Sequence, residues 1–143
     1  MSGYLYKIFQ ESESSLVDDV VQQLRHSTAP HYLEIESGLL QQRIETLVAF
    51  FLLSLKETPD KFVKYVAEMA SERIAEGFSI NECLMALRIL EEKSWLLVAQ
   101  FVPQQGLVKS LSRVTGTVGA AKDQLAHVYV SHLEEAEESV NVR

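Results

Sequence analysis

From Leu107 onward, apolar residues return at Leu111, Val114, Val118, Ala121, Leu125 and Val128, at alternating spacings of four and three. A 3.5-residue period kept for three heptads suits one continuous helix with a narrow buried seam. Pro103 and Gly106 precede it and no proline follows, so the helix is expected over about 105–138, a length on the order of 50 Å. Continued, the seam meets His132 and then Glu135 and loses its apolar character, and the segment ends in Glu134, Glu135, Glu137 and Glu138. Two readings of the seam are open. It packs inside the chain's own bundle, or it pairs with the same helix of a second chain. The strict period, the length and the acidic end favour the second, so Leu111, Val114, Val118, Ala121, Leu125 and Val128 are the candidate seam of a homodimer.

The rest of the chain agrees with an all-α helical bundle, for which a globin-like arrangement is one option. Only six Gly and three Pro interrupt 143 residues, which favours long helices over many short strands. The clearest local signal lies between Glu72 and Trp95. Gly77 suits the left-handed position just past a helix C-terminus. Ser79 and Glu82 form a capping box for the next helix, which is expected from Asn81 to about Phe101. Phe78 and Ile80 flank the cap. Upstream, Thr58-Pro59-Asp60 reads as N-cap, first helical residue and first-turn acid. The helix it opens carries Phe62, Val66, Met69, Ala70, Arg73 and Ile74 on one side. His31–Lys56 reads as helical, with Leu40, Ile44, Leu47, Phe51 and Leu55 in register and a break at Gly38. Its run Leu47–Leu55 is apolar nearly all round and is expected to be the most buried helix. Leu16, Val17, Val20, Val21 and Leu24 mark an earlier helix, with Ser15 and Asp18 as its cap. Residues 1–10 are too apolar for a free tail and are expected to pack as a short helix or extended arm, on the body or on a second subunit.

Composition excludes several functions. A net charge of −7 argues against nucleic-acid binding, which needs a basic face, and against docking on anionic membrane. The longest apolar run, Leu47–Leu53, is far short of the ~20 residues that span a bilayer. The N-terminus lacks the basic and apolar regions of a signal peptide, and the single Cys83 fits a reducing compartment. A cytoplasmic protein of one domain over residues 1–143 is expected.

No catalytic constellation emerges, and no enzyme is expected. His127 and His132 are five apart and point away from each other on a helix, whereas metal-binding pairs want a spacing of four. His31 and His132 lack the basic neighbour that histidine phosphotransfer needs. The run Gly116–Lys122 lacks the spacing and the strand of a phosphate loop. Its small residues suit close approach of another helix instead. Cys83 reads as a small buried hydrophobe. Arg43, Arg73 and Arg88 interrupt apolar faces and read as snorkelling side chains, or as partners of a buried acid or an anionic ligand. Trp95 reads as core. No metal and no cofactor are expected. For a small-molecule, haem or lipid carrier, the candidate pocket residues are Phe51, Arg73, Phe78 and Trp95.

The combination of Leu16–Leu24, Arg43-x-x-x-Leu47, Phe62-Val63-x-Tyr65-Val66, Arg73-x-x-x-Gly77-Phe78 and Glu82-x-x-x-Ala86-x-Arg88 resembles the RsbRD-type N-terminal sensor domain of RsbT co-antagonist proteins, over roughly residues 14–102. The resemblance implies an all-helical, dimeric, bacterial stress-signalling domain. It is related in role to the globin-like sensor domains of the stressosome and is normally followed by a STAS domain beyond a long connecting helix. It supplies no catalytic residues. The chain stops after that helix with no STAS domain, so either a free-standing sensor-like module or an output on a separate STAS or kinase partner is expected. The expected function is a non-enzymatic dimeric sensor domain that regulates its partner through the last helix.

Overall fold

A computed structural model describes residues 2–141. Among them are seven α-helices and no strand: α1 (Ser2–Glu11), α2 (Glu13–Arg25), α3 (Pro30–Glu34), α4 (Ser37–Lys56), α5 (Asp60–Ala75), α6 (Ile80–Phe101) and α7 (Gln104–Asn141). The fold is the expected all-α bundle with a long last helix.

The stripe Leu40, Ile44, Leu47, Phe51 and Leu55 is buried along its whole length, and α1, α2 and α5 all pack against α4. Phe51 meets Phe9 of α1 and Phe62 of α5 edge-on, with ring centroids 5.9 and 5.5 Å apart. Removing such rings from water stabilises the fold by roughly 1.5–3 kcal/mol apiece. The first helix is thus part of the core, through Leu5 and Phe9. The apolar run in α4 is not dry all round, since Ala49 is exposed and Phe50 is half-buried against Tyr65. Burial is shared with α6, which supplies nine buried residues to the eight of α4.

Local signals placed most helix ends within a residue or two, with three corrections. The break after α3 falls at Ile35–Glu36, ahead of Gly38. The Glu36 side chain caps α4, accepting from the N–H groups of Gly38 and Leu39, both at 2.8 Å. The N-cap of α2 is Ser12 rather than Ser15, and its hydroxyl makes no capping bond. Pro59, not Thr58, occupies the N-cap of α5.

The last helix packs chiefly on α5 and α6 of its own chain. Val114, Val118, Ala121 and Leu125 are fully buried there, while Leu111 and Val128 are partly buried against the same core. The seam is therefore filled within the chain. The opposite, outward side of α7 and its end from His132 to Val140 are exposed. Among the described residues one helix, Ser37–Lys56, is by length and composition apolar enough to cross a membrane, and nearly half of its apolar window lies inside the bundle.

Candidate functional site at the turn between α5 and α6

The turn is built by two helix ends meeting head-on. Phe78 N–H donates to the Arg73 carbonyl at 2.9 Å and Gly77 N–H to the Ile74 carbonyl at 3.0 Å, a Schellman closure that satisfies the last carbonyls of α5. It requires a left-handed residue, and Gly77 has φ +94°. Two residues later Ser79 opens α6 with the expected capping box. Glu82 N–H donates to Ser79 Oγ at 3.1 Å, and Ser79 N–H to Glu82 Oε1 at 3.0 Å.

Glu82 does more than cap. Its carboxylate also accepts from the backbone N–H of His31 at 2.9 Å and from His31 Nδ1 at 2.8 Å. Those two bonds tie the start of α3 to the start of α6 across a sequence separation that no local pattern reveals. Burial pushes the Glu82 carboxyl up, but the Ser79 and His31 N–H groups and the His31 ring outweigh it and hold it below the usual carboxylate range. The His31 ring in turn stacks on Phe78, centroids 4.6 Å apart, and Tyr32 meets the same ring edge-on.

The turn also holds the last helix. Tyr129 of α7 donates its hydroxyl to the Phe78 carbonyl at 2.9 Å, and its oxygen lies 3.3 Å from Cys83 Sγ. With the phenol proton on Phe78, the thiol is the donor in the second contact. All three groups are buried. Burial raises both the Tyr129 hydroxyl and the Cys83 thiol above their ordinary values, so both stay neutral and Cys83 is a structural thiol. On the flank, Arg43 of α4 grips Glu76 with two bonds, at 3.0 and 2.7 Å. The buried Arg73 reaches the same carboxylate at 3.2 Å. Burial again opposes ionisation of Glu76, and the two guanidinium groups reverse that and lower its pKa.

Further along, α7 is joined by Lys122 to the buried Glu91 of α6 at 3.1 Å. Thr115 accepts from Trp95 Nε1 at 3.0 Å, and Arg113 donates to the Ser54 and Glu57 carbonyls at the end of α4. Polar bonds thus fix α7 at four levels, from Arg113 to Tyr129.

The four candidate pocket residues go to different places. Phe51 is enclosed by Phe9 and Phe62. Arg73 is taken by Glu76, and Phe78 by His31, Tyr32 and Tyr129. Trp95, expected in the core, is 37% exposed on α6, because its indole N–H bonds Thr115 at the surface. Two open surface grooves, one along Gln10–Val17 and Glu45 and one between α5 and Ala120–Gln124, contain none of the four. Arg73 is buried and pairs with Glu76, an acid that is itself exposed rather than the buried one the alternative to snorkelling called for, whereas Arg88 is exposed. Among the described residues no group of three or more His, Cys, Asp or Glu side chains gathers as a metal site.

Sequence reasoning missed His31, Glu76 and Tyr129. Of these only Tyr129 carried a signal. It follows Leu125 by four residues on the buried side of the helix, and a buried phenol needs a hydrogen-bond partner.

The buried polar groups of this bundle are spent on joining helix to helix, with the α5–α6 turn as the junction of α3, α6 and α7. The chain belongs to the family described as the RsbT co-antagonist protein rsbRD N-terminal domain, which it matches over residues 14–141, and that family is one of stressosome-related signalling domains. The match runs from the start of α2 to the end of α7 and leaves out α1. Neither curated proteins nor solved structures gave a match.

Proposed function

We propose that this chain is a non-enzymatic, cytoplasmic signalling domain that acts as a homodimer. In this reading the α5–α6 turn holds α7 in one register, and α7 carries the state of the turn to a STAS-domain or kinase partner. A signal needs an element with two arrangements that the stimulus biases. The observation that carries the proposal is the bond from Tyr129 to the Phe78 carbonyl. It attaches the distal part of α7 to the backbone of the turn itself, so anything that moves Phe78 moves α7. Beyond Tyr129 the helix runs exposed from His132 to Val140, roughly 12 Å of helix at 1.5 Å per residue, open to a partner.

The test is calorimetric titration of the chain with STAS-domain and kinase proteins of the stress-signalling type. The expected result is binding by at least one of them, with an affinity that changes when Tyr129→Phe releases α7 from the turn. No binding by any, or the same affinity for both forms of the chain, overturns the proposal.

A further inference from the structure

The homodimer reading leaves open which surface pairs, because the apolar seam of α7 is occupied by the chain's own α5 and α6. We infer that a second copy of this chain covers the outward side of α7, crossing it antiparallel about a two-fold axis at Gly116.

Lys109, Ser112, Gly116, Gly119 and Asp123 recur at spacings of three, four, three and four, so they form one stripe along the helix. All are exposed except Gly119, which is half-exposed, and a Cβ at Gly116 or Gly119 would meet nothing within 4 Å. The bundle therefore does not use these glycines, although glycine weakens a helix interior. Their bareness lets a second backbone approach closely. Apolar surface flanks the stripe on both sides. On the α6 side, Trp95 bonds Thr115 beside Gly116, Leu96 is 62% exposed, and Val108 is 77% exposed. On the α5 side lies the groove lined by Pro59, Val63, Ala67 and Ala120.

Charge selects the occupant and its direction. The stripe and its flanks carry Lys109, Arg88 and Lys64 against Asp123, Glu92 and Asp60, a neutral face in a chain of net charge −7. Two such chains repel elsewhere but not here. Lys109 and Asp123 lie two helical turns either side of Gly116, so an antiparallel crossing sets each Lys109 against the other copy's Asp123. A parallel crossing would set like on like and bring together the two acidic ends at Glu134–Glu138. An isologous contact of this kind closes as a dimer.

This inference rests on the homodimer reading, and the experiment separates the two. The full chain is examined by sedimentation equilibrium up to about 100 µM, where a dimer with a micromolar Kd is almost wholly formed. The expected result is a species of twice 16.1 kDa. Lys109→Asp alone and Asp123→Lys alone each weaken it by about tenfold or more, and the double swap restores it. Gly116→Arg, whose Cβ meets nothing within 4 Å in the monomer, abolishes the dimer while circular dichroism and melting show a folded chain. A wild-type monomer throughout overturns both readings. A dimer that none of these variants moves overturns this face and leaves the homodimer standing. Weakening by single reversals without rescue by the double swap overturns the antiparallel pairing.

Discussion

Glu82 gathers donors from two helix starts, and that makes the turn sensitive to acid. Its folded-state pKa lies below the ordinary 4.5. A depressed carboxyl contributes stability that is fully present above the unfolded value and is lost as pH falls through the folded one. Denaturant titrations are expected to show stability dropping below about pH 4.5, with a shallower drop in Glu82→Gln. An equal slope in both would remove Glu82 from the account. At Gly77 a Cβ has room, meeting only His31 Nε2 at 3.4 Å, but φ is +94°. Gly77→Ala is therefore expected to cost about 1 kcal/mol through backbone strain alone, read as a lower melting temperature with unchanged helicity. The residues that shape this turn were legible because caps and left-handed glycines act over three or four positions. The His31–Glu82 and Tyr129–Phe78 bonds were not, because each joins positions 51 apart and nothing local encodes the pairing.

Among the elements, α7 shows what periodicity encodes. The 3.5-residue stripe announced a long helix with one buried side, and both are present. It did not say what does the burying, because an apolar seam looks the same whether a neighbour in the bundle or a second chain fills it. Here Val114, Val118, Ala121 and Leu125 are buried on α5 and α6. Leu125→Ala is thus expected to destabilise the fold by about 2–5 kcal/mol, the usual range for a buried leucine, with the loss independent of protein concentration. A loss that shrinks as concentration rises would return this residue to a subunit interface. Trp95 failed as a core residue for a related reason. Its position beside Leu96 and Leu97 looked apolar, but the indole N–H needed a partner and found Thr115 at the edge.

For the whole molecule, composition and the scarcity of breakers were enough for an all-helical bundle, and diffuse packing motifs were enough for its family. The candidate ligand pocket was the weakest inference, since large side chains signal burial without distinguishing a filled core from a cavity. What the tertiary structure adds is a connection: α3, α6 and α7 meet at one turn, held by Glu82 and Tyr129. The central claim is that this turn holds the last helix. Amide hydrogen exchange of wild type and Tyr129→Phe tests it most directly. The substitution leaves the buried Phe78 carbonyl without its donor, a loss of about 1–3 kcal/mol. Faster exchange is expected together in the turn at 77–83 and in α7 from Lys122 onward, with α1 and α2 unchanged. Exchange that stays the same in α7, or rises evenly over every helix, would contradict the account.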